Sequence, residues 1–315
     1  MRFTVGQVPP DPRRILAALE RRLASEHDAQ WFVRDPDQVA RWLPRLKWVT
    51  SYFSPEVRHI ERVPRDGPAL VVGNHSCSFY MPDAWVVAAA VAEWRGVAAP
   101  VYPLVYDLLF AMPGYGPFLR RSGALPADEQ AAAGALDGGG AVLVFPGGDY
   151  DACRPWFERD RIAFGGRTGF VRLALRAGVP VVPVVSYGAH HGMAVLARSE
   201  PLARLLRLSG LRVKVMPVMA TPLGPSLVLA PPPLPAQITV EFLPAFDWRA
   251  SLGPQAADDP SVTMACYREI TNAMQATMDR LAAERPHPVA AGTVQLITRP
   301  LSAALRPFRR PSERH

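Results

Sequence analysis

Cysteine is scarce in this chain: Cys77, Cys153 and Cys266 are the three in 315 residues. They are odd in number, far apart and without metal-ligand spacing, which argues against a disulfide framework or a zinc module and suits a reducing, cytosol-facing compartment. Lysine is nearly absent, because only Lys47 and Lys214 interrupt a basic complement that is otherwise arginine. The first residues, MRFTVGQVPPDPRR, lack the apolar core of a secretory signal, so none is expected. No apolar run is long enough to read as a spanning helix. The nearest candidate, the uncharged stretch between Lys214 and Glu241, contains Pro217, Pro222, Pro225, Pro231, Pro232, Pro233 and Pro235. Each proline removes an N–H and clashes with the preceding turn, so this stretch is expected to be an apolar, irregular surface segment.

Nearly half of the residues are apolar, at 49%, and the formal net charge is +7. The first figure provides for a sizeable core, in one large domain or two modest ones. The second suits anionic lipid, nucleic acid or phosphorylated substrates without choosing among them, and arginine with alanine at this level also follows from genome composition alone.

Periodicity gives the organisation. Residues 11–25 read as an amphipathic helix, capped by Asp11 and carrying Ile15, Leu19 and Leu23 on one face. A second helix opens at Asp35-Pro36 with Val39, Trp42, Leu43 and Leu46, kinked at Pro44. These suggest a helical module over 1–55. From 56 to 285 the pattern alternates. Strands are expected at 68–73, within 97–106, at 141–146, 179–186 and 238–243. Helices are expected from Pro82 to about Arg95, over 127–137 and 167–177, and from Asp259-Pro260 onward. That rhythm predicts an α/β fold with a mostly parallel central sheet flanked by helices. Residues 286–315 read as a basic tail, and no internal repeat is present. Ligands of such sheets bind beyond the carboxyl ends of strands, where His75, Gly147 and Tyr187 fall.

Gly73-Asn74-His75-Ser76-Cys77-Ser78-Phe79-Tyr80-Met81-Pro82-Asp83 is the most informative segment. An imidazole takes a proton near neutral pH, and a carboxylate, here the aspartate that opens the next helix, can fix its tautomer. Such a dyad activates a hydroxyl without a protein nucleophile. The plainer alternative is a loop histidine beside a helix-opening charge. Ser76 and Ser78 lack the Gly-x-Ser-x-Gly elbow of a serine hydrolase, and His190-His191 has no cysteine or carboxylate at ligand spacing, so no metal site is expected.

With these residues in view, the span from about 60 to 245 resembles the glycerophospholipid acyltransferase superfamily, in particular its lysophospholipid acyltransferase-like and diacylglycerol acyltransferase-like branch. GNHSCSFYMPD is similar to the family's catalytic His/Asp block. GYGPFLRRSGALPA, VFPGGDYDACRP and VPVVPVVSYG follow in the family's order. The resemblance implies His75 as general base, Asp83 as its orienting carboxylate, and acyl transfer from a thioester to a lipid hydroxyl at a membrane surface. No resident cofactor is implied, since acyl-CoA or an acyl carrier protein is a co-substrate. Nucleic acid is not among the implied partners, and the place is peripheral at the cytoplasmic face of a membrane. Arg120, Arg121, Arg154 and Arg167 are candidate substrate-binding cations, and Gly147 and Gly148 candidate backbone donors to an oxyanion. Two departures stand out. Seven residues separate His75 from Asp83 where the common block has four. The third block has Gly147, Asp149 and Tyr150 in place of a glutamate, a threonine and an arginine. The second departure removes a phosphate grip and predicts a neutral or bulky-headed acceptor, with glycine at 147 leaving room for it. A non-catalytic lipid-binding protein and a lipid hydrolase are the alternatives.

Overall fold

Asp35 caps the helix that follows it by accepting hydrogen bonds from the Asp37 and Gln38 N–H groups, with Pro36 in the first helical position, where its missing N–H costs nothing. The computed structural model describes residues 32–76, 80–205, 214–221, 224–226 and 232–298; the helix expected at 11–25 lies outside them. In chain order the elements are α1 (Pro36–Thr50), β1 (Glu56–Arg58), β2 (Ala69–Gly73), α2 (Pro82–Arg95), β3 (Val101–Val105), α3 (Tyr115–Arg121), β4 (Leu125–Pro126), α4 (Glu129–Asp137), β5 (Ala141–Val144) and α5 (Gly148–Ala152). Then come α6 (Gly169–Ala177), β6 (Val181–Tyr187), β7 (Val195–Ser199), α7 (Glu200–Leu205), β8 (Met216–Thr221), β9 (Gly224–Ser226), β10 (Thr239–Phe242), α8 (Pro260–Glu284) and α9 (Pro288–Thr298).

The main sheet runs β1-β10-β6-β2-β5-β3-β4. From β6 to β4 all pairs are parallel. β10 runs antiparallel to β6, and β1 pairs parallel with β10. The central strands β2 and β6 are buried along their whole length, which is why they read as continuous apolar runs rather than alternating ones. Leu70, Val72 and Val142 face a layer formed by α4, α6 and α8, where Ile270, Met274 and Met278 pack. Val71, Leu143 and Val184 face the opposite way onto Val86, Val87, Ala90 and Val91 of α2.

Helix α1 lies on α2. Trp42 stacks on Trp85 with centroids 6.1 Å apart, and Lys47 pairs with Glu93 at 2.7 Å. The uncharged stretch after Lys214 is only partly the surface segment expected from its prolines. β7, β8 and β9 form a small antiparallel sheet. Val215, Met219, Ala236 and Ile238 are buried. The tail expected from 286 opens as α9, which packs Gly292 against the backbone of Pro235. No helix among the described residues is long and apolar enough to cross a membrane.

Candidate active site

β2 delivers its last residues to the carboxyl edge of the sheet, and the neighbouring strand holds them there. The Asn74 side chain completes the pairing with β6, donating to Ser186 O at 2.9 Å and accepting from Ser186 N at 2.8 Å. His75 follows, 7% exposed, with its ring stacked on Phe145 of the next turn at 5.0 Å. Asp83, fully buried in the first turn of α2, places Oδ2 3.3 Å from His75 Nδ1. With Nδ1–H donated to that carboxylate, Nε2 keeps its lone pair. Nε2 lies 2.8 Å from Met81 Sδ, so the Met81 side chain covers that ring nitrogen. Met81 holds a left-handed backbone, φ 43°, at the entrance to α2.

The third block folds differently from its expected role. Residues 148–152 form the short helix α5, and Asp151 points back under His75. Asp151 Oδ2 accepts the His75 N–H at 2.5 Å, while Oδ1 accepts from Arg154 and, at 3.3 Å, from the Ala163 N–H. Arg154 Nη1 in turn donates to His75 O at 2.8 Å, and Nη2 to Arg159 O at 3.1 Å. Burial pushes the Asp151 carboxyl up, and the Arg154 guanidinium and the His75 N–H oppose that rise. Arg154, expected to face substrate, is instead sealed beneath the loop with 1% exposure. Gly147 offers no room for a headgroup, because a Cβ built there overlaps Asp151 Cβ. Gly148 spends its N–H on Phe145 O at 3.0 Å, which removes it as an oxyanion donor.

The remaining candidate arginines are also held by protein groups. Arg121 pairs with Asp35 at 2.7 Å. Arg120 lies over the Phe110 ring, 5.8 Å from its centroid, and burial lowers its pKa. Arg167 sits on the third block itself. It donates to Pro146 O and Gly147 O and pairs with Asp149 at 3.0 Å. Asp149 and Tyr150, the residues that depart from the family pattern, also hold the small sheet. Asp149 Oδ2 accepts the Lys214 N–H at 2.8 Å. Arg198 stacks on Tyr150 at 3.6 Å and donates to its hydroxyl at 2.8 Å. Behind them the neutral His190 ring donates from Nε2 to Arg154 O at 2.8 Å, its pKa lowered to about 3, chiefly by burial. Sequence reasoning missed Asp151, Met81 and Arg198; the Asp-x-x-Arg spacing of residues 151–154 was the one available signal, since it permits an i,i+3 pair.

The sequence model of the Acyltransferase family matches residues 54–187, a span that runs from just before β1 to the end of β6. The uncharacterized protein Rv0502 of Mycobacterium tuberculosis is 31% identical over 284 residues, covering 88% of this chain and 77% of that protein. The human DGAT1/2-independent enzyme synthesizing storage lipids is 28% identical over 142 residues, covering 45% of this chain and 42% of its own. Among solved structures, the crystal structure of the 1-acyl-sn-glycerophosphate acyltransferase PlsC from Thermotoga maritima aligns with a TM-score of 0.43 and 17% identity, over 82% of this chain and 97% of that one. The chain belongs to the acyltransferase family of the glycerophospholipid acyltransferase superfamily. It is an acyltransferase.

Proposed function

We propose that the chain transfers a fatty acyl group from a thioester to the hydroxyl of a neutral glycerolipid, with His75 as general base and Asp83 as its orienting carboxylate. The observation that carries this reading is the buried Asp83 carboxylate on Nδ1 of an imidazole at the sheet edge. Nε2 takes the hydroxyl proton as the oxygen attacks the thioester carbonyl. The C–S bond breaks, and the same proton passes to the leaving thiolate of coenzyme A or an acyl carrier. The 3.3 Å separation suits a dyad that tightens when substrate excludes water.

A neutral acceptor is supported by the arginines: Arg121, Arg154 and Arg167 are each engaged by a carboxylate of the protein. A phosphate monoester calls for paired cationic donors left open to it. The relative named for synthesizing storage lipids points the same way. Work at a bilayer surface is supported by the outer stripe of α1, where Arg41 and Arg45 precede the exposed Trp48, Val49 and Tyr52. Beyond it lies α9, free of charge, with Val294 and Ile297 at 59% and 79% exposure. Exposed aromatics beside arginines suit the interface of an anionic leaflet, and the free thiols Cys153 and Cys266 suit its cytoplasmic face.

The test is thiol release and ester formation from acyl-CoA, with monoacylglycerol and lysophosphatidic acid presented side by side in anionic vesicles. Acyl transfer with a higher kcat/KM for monoacylglycerol is expected, and Trp48→Ala with Val49→Ser is expected to weaken vesicle binding. Hydrolysis without transfer, or binding without thiol release, overturns the reading, and a preference for lysophosphatidic acid overturns its acceptor half.

A further inference from the structure

We propose that the buried Asp151–Arg154 pair is a positioning device for the general base, one that grips the main chain of His75 on both sides. The inference rests on the reading of His75 as base. Asp151 takes the N–H of His75 and Arg154 its carbonyl, while the two side chains bond each other. One ion pair thus fixes both polar groups of a single peptide segment, in a loop that no sheet ladder reaches. Both partners are almost wholly withdrawn from water, at 0% and 1% exposure. Such burial carries a desolvation penalty that Coulomb attraction repays only with good geometry and further hydrogen bonds, so well-packed apolar residues would fill the space with no loss of stability. The further bonds here converge on the His75 backbone.

The clamp also accounts for the altered third block. In the family pattern a carboxylate stands at the place of Gly147. Here Asp151, one helical turn later, fills the space a side chain at 147 would need. A carboxylate and an arginine are present in the chain, each four residues downstream of the family's positions, and both bond the main chain of His75. The grip has its own support, since His190 donates to the Arg154 carbonyl and Arg159 O accepts from the guanidinium. With the Cα fixed by the clamp, Asp83 and Phe145 have only the ring left to orient.

Misplacement of a reacting group by about 1 Å can cost on the order of 10²-fold in rate. Three variants test the clamp: Asp151→Asn, Arg154→Lys, and the double variant Asp151→Asn with Arg154→Gln, which leaves neither charge buried alone. Each is measured for melting temperature, kcat and KM for acyl-CoA, in wild-type and His75→Ala backgrounds. Positioning predicts that the folded double variant loses about 10²-fold in kcat with KM within about twofold. It also predicts that the same change causes no further loss once His75 is gone, because groups that act as a unit are not additive. A double variant that is folded and retains wild-type kcat overturns the proposal. So does a loss that repeats in full on the His75→Ala background, since the pair would then act elsewhere. Wild-type activity in His75→Ala itself is a separate result: it refutes the base assignment.

Discussion

The turn from β2 to α2 and the turn from β5 to α5 leave neighbouring parallel strands at the same sheet edge, and each buries a carboxylate. In the first, Asp83 bonds the imidazole of His75. In the second, Asp151 bonds the main chain of the same residue and carries an arginine with it. The groups are alike in chemistry and differ in what they hold: Asp83 sets the ring and its tautomer, Asp151 sets the backbone beneath. On the proposed reading, a charged residue in a family block need not touch substrate to matter. Its direction is decided by packing, here by a glycine at 147 that lets α5 close under the loop.

The comparison breaks most severely at Asp83. Asp83→Asn keeps the shape but removes the charge that stabilises the imidazolium, and kcat is expected to fall by about 10²-fold or more, within the range of ~10²–10⁴ typical of general-base catalysis. A folded Asp83→Asn protein with unchanged kcat would place the orienting carboxylate elsewhere. Next comes Gly147→Ala, whose added Cβ overlaps Asp151 Cβ. Overpacking of this kind costs about 1–3 kcal/mol, so a lower melting temperature and a lower kcat should appear together. If both stay at wild-type values, α5 does not close on the loop as described.

The smallest effect separates the support of the clamp from the clamp itself. His190 is neutral in the fold, with its pKa near 3. An unfolded histidine titrates near 6.5. The folded value is the depressed one, so the unfolded state binds the extra proton first, and stability is lost as pH falls from about 6.5 toward 3. The slope for one proton is about 1.4 kcal/mol per pH unit. His190→Gln keeps a donor for Arg154 O and removes the titration. Urea unfolding between pH 7 and 4 should show a flatter pH dependence in the variant, and equal slopes in both proteins would mean that His190 is not the group responsible.

Most of the parallel core could be read from the chain, because β2, β5 and β6 are buried on both faces and bounded by glycine or proline. Asp35, Asp259 and the prolines after them gave α1 and α8 their starts. The three-residue edge strand β1 is too short for any period to show, and it pairs with β10, far away in sequence. The β7–β9 sheet hides inside prolines that usually argue against strands; Pro217 lies in the middle strand β8 and Pro225 in the edge strand β9 of a small sheet. Helix α5 starts on a glycine and carries two acids in five residues, a composition that reads as a loop. In the site, the His75–Asp83 spacing was visible. The inward turn of Asp151 and Arg154 was not, since Asp and Arg in a glycine-containing segment look solvated until the packing around Gly147 is known.

The central claim, that His75 is the base for acyl transfer, is tested most directly by His75→Ala assayed for thiol release and ester formation beside the wild-type enzyme, with circular dichroism and melting temperature recorded on the same samples. The account predicts a folded protein whose kcat has dropped by about 10²–10⁴-fold; a folded His75→Ala protein that transfers acyl groups at the wild-type rate would contradict it.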